Sequence, residues 1–96
     1  MLIRKKIKVG SKYIDALTLN LGTKNLIILR GSKGYVMCGY LNLSVARKFK
    51  DAAVKITGIT NVEEALRTVV RTCTPAARCM GIYKGQPIRE VLKVIA

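Results

Sequence analysis

The chain has 96 residues, which is the length of one domain and leaves no room for a second. It carries 18 basic and 5 acidic residues and no histidine, so its formal net charge is +13. The absence of histidine excludes a Ser-His or Cys-His nucleophile pair. Three scattered cysteines and five acids do not supply a zinc site, and we expect neither a metal nor a cofactor.

Half of the residues are apolar, which predicts a folded domain and excludes a disordered basic tail. The longest aliphatic run, at residues 26–29, is too short for a transmembrane helix. The basic N-terminus is not followed by an apolar stretch, so we expect no signal peptide. An odd number of cysteines favours reduced thiols over a disulfide between Cys73 and Cys79. Together these features predict a soluble cytoplasmic protein that does not contact membranes.

The first half of the chain has the pattern of β-strands. Apolar residues alternate with polar ones over residues 3–9 and 13–21, and Gly10-Ser11 between them predicts a turn. Residues 26–29 are wholly apolar, as in a strand buried on both faces. A Gly-Ser-Lys-Gly link then leads to a fourth strand at residues 35–40. We therefore predict four strands, arranged as two hairpins.

Helical spacing begins after the fourth strand. One amphipathic helix is predicted between a cap at Asn42 or Ser44 and an end at Gly58. Its apolar face consists of Val45, Phe49, Ala52, Ala53 and Ile56, and its opposite face carries Arg47, Lys48, Lys50 and Lys55.

Residues 60–63 form a capping-box pattern that opens a second helix. We place its end at about Arg67 and a fifth strand in the β-branched segment 68–74, although helical spacing also continues to Val70. Thr74-Pro75 starts a short helix that Gly81 ends, and Pro87 opens the last helix. This order predicts a single α+β domain over residues 1–96, with a mixed sheet of four to five strands and helices packed on one face.

The segment 35–41, Tyr-Val-Met-Cys-Gly-Tyr-Leu, resembles the YunC-like family, small proteins known as a domain of unknown function. The resemblance runs from about Tyr13 onward and takes in the strand at Asn25, the helix at Asn42, residues 81–85, and Arg89-Glu90 with the final helix. It implies a compact α+β fold. That family has no assigned activity, so the resemblance implies no catalytic residues. The sequence departs from the family's pattern in its strong basicity and at Gln86-Pro87, where a serine-type helix cap is more common.

The basic residues give the strongest functional signal. Arg4, Lys6 and Lys8 project from one strand face near Lys12 on the adjoining turn, and a second cluster lies on the predicted helix. Because Lys and Arg contacts to phosphates release counterions, this pattern predicts a non-enzymatic binding module for nucleic acid or another anionic partner. The alternative is a solvated surface. With Phe49 assigned to the core, only tyrosines remain as stacking platforms, and no helix-turn-helix, zinc-finger or RNP pattern is present.

Cys38 is the candidate residue for a second functional class, a thiol-containing small-molecule-binding protein or enzyme. A nearby cation such as Lys33 could lower its pKa, and Gly39 would let a ligand approach the backbone. The commoner role of such a cysteine is a small buried hydrophobe.

Two glycine loops could hold anions with backbone amides. Residues 31–34, which include Lys33 and Gly34, lack the spacing of a P-loop and also fit a hairpin turn. Residues 81–85, bounded by Gly81 and Gly85, precede a helix start and also fit a chain reversal between helices.

We also expect a homo-oligomer, most simply a dimer. The apolar strand at residues 26–29 should be central or paired with a partner, whereas the basic strand at residues 4–8 suits an exposed edge. Like charge on that strand should place the subunit contact on an apolar surface elsewhere.

Overall fold

A computed structural model of the protein describes residues 2–38, 46 and 48–96. Within them the strands are β1 (Leu2–Val9), β2 (Lys12–Asn20), β3 (Asn25–Arg30), β4 (Tyr35–Met37), β5 (Ala53–Lys55) and β6 (Thr72–Cys73). The helices with described bounds are α1 (Val62–Arg67), α2 (Pro75–Cys79) and α3 (Ile88–Ile95). Ala46 and Lys48, between β4 and β5, are also helical. The predicted caps Asn42 and Ser44 and the apolar residue Val45 lie outside the described residues.

The described strands form one sheet in the order β1-β2-β3-β4-β5-β6. Only β4 and β5 run parallel among these neighbours, and the other pairs are antiparallel. The domain is α+β with a mixed sheet, as predicted, and its Cα radius of gyration of 12.2 Å is that of a compact domain of this length. The described sheet has six strands, one more than the upper limit of the predicted four to five.

The additional strand is β5, in a segment that helical spacing assigned to a helix. Ala53 and Val54 are fully buried, and β5 pairs with β4 on one side and β6 on the other. The predicted continuation of the helix to Ile56 is therefore wrong. Pairing with strands that are distant in sequence overrides the local spacing, and it places Lys55 on a strand instead of a helix face.

The helical residues end before β5 in a defined stop. The amide of Asp51 donates to the carbonyl of Ala46 at 2.9 Å, and Lys50 has a φ of 60°. A bond of this span with a left-handed residue just before its donor is the Schellman arrangement, in which glycine is the usual residue. The described helical residues therefore end at Lys48, and the turn at Lys50 terminates them well short of the predicted Gly58.

The two faces of the sheet differ in character. The inner face carries the core residues Ile14, Ala16, Ile27, Leu29, Val36 and Val54, which pack against α1, α2 and α3. α3 contributes Ile88, Val91, Leu92 and Ile95, the four residues of its predicted apolar stripe. By the strand register, the outer face carries Arg4, Lys6, Lys8, Tyr13, Asp15, Arg30, Tyr35 and Met37. Ala46 packs on this outer face, against Tyr35, Met37 and Ala53.

Helix α1 begins one residue later than the capping box predicts. The Asn61 side chain, instead of Thr60, accepts the amide of Glu64 at 2.8 Å. The Glu64 carboxylate in turn accepts the amide and the hydroxyl of Thr60, each at 2.7 Å, and these bonds lower the pKa of Glu64. The chemistry of a capping box is present but shifted by one position. The predicted end at Arg67 and the predicted strand within residues 68–74 are both confirmed.

Candidate functional site

Strand β1 forms one edge of the described sheet, where the sequence predicts it. Arg4, Lys6 and Lys8 are exposed and share the outer face, which confirms their predicted grouping. Lys12 lies opposite Val9, so the register gives it the inner side of the hairpin. Lys12 therefore does not belong to this cluster.

One of the three basic residues has an acidic partner on the same face. Asp15 accepts from Arg30 at 2.8 Å and from Arg4 at 3.3 Å. The hydrogen bond from Arg30 is the main cause that lowers the pKa of Asp15, and the nearby charge of Arg4 acts in the same direction. Among the described residues, no ion pair holds Lys6 or Lys8. These two ammonium groups remain available to an anionic partner.

An exposed aromatic ring lies beside these lysines. Tyr13 is directly opposite Lys8 on the outer face and is 59 % exposed. A two-residue turn at Gly10-Ser11 pairs Val9 with Lys12 and therefore Lys8 with Tyr13. The position of Tyr13 beside Lys8 can thus be predicted from the sequence once the turn is recognised.

A second exposed ring, Phe49, corrects a prediction. Helical spacing places Phe49 in the core, whereas it is 70 % exposed. Phe49 lies in the turn after Lys48, the last described helical residue, so the core-facing stripe predicted for the helix does not extend to it. Lys48 and Lys50 flank this ring and are both exposed.

The fold brings the two basic clusters to the same end of the sheet. We call this the basic end: β1 and β3 finish there, and β2, β4 and β5 begin there. Arg30 lies opposite Tyr35, and the Tyr35 hydroxyl donates to Asp51 at 3.0 Å. Asp51 directly follows Lys50, so Lys50 is positioned two strands away from the Asp15–Arg30 pair. Burial first, and then the bond to Asp51, raise the pKa of Tyr35.

Two members of the second predicted cluster are not placed with it. Arg47 lies outside the described residues. Lys55 is paired in register with Met37, at the end of β5 that is remote from the basic end. Lys33 does lie at the basic end, in the turn between β3 and β4.

The glycine loop that contains Lys33 is a hairpin turn. The Gly31 amide donates to the Gly34 carbonyl and the Lys33 amide donates to the Ile95 carbonyl, each at 2.8 Å. A Cβ atom on Gly31 would overlap the carbonyl of Ile95, and one on Gly34 would overlap the carbonyl of Ala52. The glycines are therefore needed for close backbone packing, and the loop has the hairpin form that was the alternative to an anion cradle.

The loop at residues 81–85 is likewise a chain reversal. Gly81 and Gly85 adopt φ values of 92° and 89°, which favour glycine. The amides of residues 81, 82, 83, 85 and 86 all donate to groups of the chain itself. Bonded in this way, they do not form the predicted anion seat.

Cys38 lines a cavity of about 550 Å³ at the opposite end of the sheet. The thiol is 4 % exposed, and its Sγ accepts the amide of Ile27 at 3.4 Å. Lys33 precedes β4 and lies at its other end, about 16 Å away along the strand, so it is not the neighbour that would activate this thiol. Gly39 lies outside the described residues. The rest of the described lining consists of Thr23, Lys24, Asn25, Thr57, Gly58, Ile59 and Thr60.

Cys73 is buried and Cys79 is exposed, and all three cysteines are free thiols, as predicted. Across the described residues, no three His, Cys, Asp or Glu side chains gather closely enough to hold a metal ion. Nor does any described helix have the length and apolar character needed to cross a membrane.

Comparison with known proteins agrees with the predicted resemblance. The chain is 27 % identical over 90 residues to the uncharacterised protein YunC of Bacillus subtilis, which covers 90 % of this chain and 89 % of that protein. A crystal structure of a protein of unknown function from Thermoplasma acidophilum superimposes with a TM-score of 0.95 at 32 % identity, covering 100 % of this chain and 94 % of the other. The family model for the domain of unknown function DUF1805 matches residues 37–95, more than half of the chain. The chain belongs to the DUF1805 family.

Proposed function

We propose that the basic end of the sheet binds single-stranded nucleic acid. The observation that carries this proposal is that two separate basic clusters, each with an exposed aromatic ring, lie at the basic end of the sheet. Lys6 and Lys8 with Tyr13 come from the β1–β2 hairpin, and Lys48 and Lys50 with Phe49 come from the segment before β5.

The chemistry fits a flexible strand better than a rigid duplex. Lysines supply contacts to phosphates, which provide affinity without reading sequence. Exposed rings supply stacking surfaces for unpaired bases. From β1 to β5 the sheet is about 19 Å wide, a distance that a few nucleotides can cross between the clusters.

The lysines are tested by a salt titration of oligonucleotide binding, followed by fluorescence anisotropy. Replacing Lys6 and Lys8 by Gln should weaken binding and reduce the salt slope by about 0.7 for each lost phosphate contact. The control is the double variant Arg71→Gln and Lys84→Gln, which removes the same charge from a hollow shared with Thr57 at the other end of β5. If the two double variants weaken binding equally, the oligonucleotide is attracted by the net charge of the protein and not by a site at the basic end.

The rings are tested separately from the charges. Tyr13→Ala and Phe49→Ala should each weaken oligonucleotide binding by about 1–3 kcal/mol if a base stacks there. Binding of heparin, a polyanion without bases, should be unchanged in both variants. If neither ring variant affects the oligonucleotide, the single-strand proposal is wrong.

A second candidate function is supported by the position of Cys38. Cys38 belongs to the wall of a cavity that is large enough for a small molecule and is lined in part by threonine residues. A small molecule bound in this cavity should protect Cys38 from alkylation, or its binding should require the Cys38 thiol.

The test is the rate of alkylation of each cysteine by iodoacetamide at neutral pH, read by mass spectrometry. Cys79 is an exposed reference and Cys73 a buried one within the same chain. Reaction of Cys38 faster than Cys79 would support an activated thiol. Reaction only after denaturation, as expected for Cys73, would assign Cys38 to the core.

A further inference from the structure

We infer that the free edge of β1 and the groove beneath it bind an extended acidic peptide that adds to the sheet as a further strand. This is a partner and a surface distinct from the proposed nucleic-acid site, although Lys6 and Lys8 border both. The occupant is a segment of another protein in which apolar residues alternate with Asp or Glu.

The first observation is the length of the unpaired edge. β1 has eight residues, and among the described strands it pairs with β2 alone. About half of its backbone N–H and C=O groups therefore point away from the sheet, ready to bond to an added strand.

The second observation is a groove along the inner side of β1. Two hollows follow this strand: one of about 290 Å³ and one of about 350 Å³. The first is floored by Ile7, Val9, Leu66 and Leu92, and the second includes Ile3, Ala16 and Val62. Helices α1 and α3 thus leave this edge partly uncovered, and Ile3 is 46 % exposed. Alternate residues of an added strand would place apolar side chains here.

The third observation is the charge around the edge. Lys8, Arg89 and Lys93 border the first hollow. Lys5 and Glu63 border the second hollow. The Glu63 carboxylate lies 4.0 Å from the guanidinium of Arg67, which balances its negative charge. On the outer face, the side chains of an added strand would lie beside Arg4, Lys6 and Lys8. The surroundings are strongly cationic, so the partner's outward residues should be acidic.

The same charges oppose a second copy of the chain at this edge. Two β1 strands placed side by side would bring their lysines and arginines together, which is destabilising in a sheet. An acidic peptide can therefore pair with this edge, whereas a second copy of this basic chain is repelled from it.

The test uses a synthetic peptide of the length of β1, eight residues, with alternating valine and glutamate. Binding is measured by isothermal titration calorimetry, and its location by NMR shift changes at residues 2–9. Leu66→Gln should weaken the binding of this peptide by on the order of tenfold, because the substitution removes an apolar contact in the groove. Arg89→Gln, which leaves the apolar floor intact, should also weaken it, and it serves as the second variant if Leu66→Gln does not fold.

Two control peptides decide the mode of binding. One has the same composition with valines and glutamates in separate blocks, and the other is N-methylated at alternate residues so that it cannot pair with β1. Equal binding of all three peptides would overturn the proposal, as would association of the protein with itself through β1. Lys48→Gln with Lys50→Gln should weaken oligonucleotide binding and leave the alternating peptide unaffected, so that failure of one proposal is distinguishable from failure of the other.

Discussion

At the residue scale, the Thr74 hydroxyl ties three segments of the core together. It accepts the amides of Ala53 at 3.1 Å and Ala77 at 3.3 Å and donates to the carbonyl of Asp51 at 2.7 Å. The residue is fully buried, so water cannot replace these bonds. The sequence predicts its role as the cap of α2, but not its bond to the amide of Ala53 in β5.

Replacing Thr74 by Val keeps the shape and removes the hydroxyl. We expect the free energy of unfolding to fall by about 3 kcal/mol, because buried backbone groups lose their partners and α2 loses its cap. Urea unfolding followed by circular dichroism measures this change. Thr74→Ser retains the hydroxyl and should lose much less, and equal losses in the two variants would contradict the hydrogen-bond explanation.

Asp15 makes a pH-dependent contribution to stability. Its pKa is lowered from 3.8 in the folded chain, mainly by the hydrogen bond from Arg30, so the charged form favours folding. The contribution is fully present above the unfolded pKa of about 4 and is lost as the pH falls through the lowered folded value. Asp15→Asn should therefore be less stable than the wild type at neutral pH, and the difference should shrink below pH 4. Urea midpoints measured across the acidic range test this, and a difference independent of pH would contradict it.

At the scale of elements, the end of the helix before β5 is set by one unusual backbone position. Lys50 is the described non-glycine residue with a left-handed φ, at 60°. Glycine adopts this conformation without the Cβ penalty, so Lys50→Gly should stabilise the fold by about 1 kcal/mol. Lys48→Gly, within the helical residues, should destabilise by about the same amount. Thermal unfolding of both variants checks the opposite signs, and destabilisation by both would contradict the assigned stop.

The elements that the sequence predicts correctly are those whose sequence patterns lie within a few neighbouring residues. The β1–β2 hairpin, the start of α2 and the apolar stripe of α3 rest on adjacent residues, and all three are confirmed. β5 was missed because three residues carry too little local pattern, and its partners lie far along the chain. The misplacement of Phe49 and Lys55 follows from that single error.

The candidate nucleic-acid site was predicted in halves. Local spacing groups Lys6 with Lys8, and the pairing of Lys8 with Tyr13 follows from the turn between their strands. Local spacing also wrongly adds Lys55 to the second cluster and places Phe49 in the core. The position of Lys50 at the same end of the sheet as Arg30 depends on the contact of Tyr35 with Asp51, across residues that are 16 apart in sequence. No local pattern contains that contact.

At the scale of the whole molecule, the family match does not cover the β1–β2 hairpin. The family model begins at residue 37, after β1, β2 and β3, whereas the structural likeness covers the whole chain. The family assignment therefore includes Cys38 and residues 57–60 of its cavity but not Lys6, Lys8 or Tyr13. The nucleic-acid and peptide proposals therefore draw on residues outside and inside the family match: the β1–β2 hairpin lies outside it, whereas Lys48 and Lys50 of the nucleic-acid site and Leu66 and Arg89 of the peptide groove lie within it.

We further propose that the protein forms a dimer through the apolar part of the outer face. Leu17 lies opposite Ile28 and Leu19 opposite Leu26, and all four are only partly buried. Because two chains that each carry a net charge of +13 repel each other, added salt should strengthen the dimer by screening this repulsion.

Light scattering across a concentration series at low and moderate salt tests the dimer. A mass that stays near 10.6 kDa at every concentration would rule it out. Leu19→Lys should shift the equilibrium toward the monomer, because it places a charge in the apolar contact. Val69→Lys is the matched control, since Val69 is exposed and lies outside β2 and β3. If both substitutions have the same effect, the contact is not on the outer face, and the added charge alone accounts for the change.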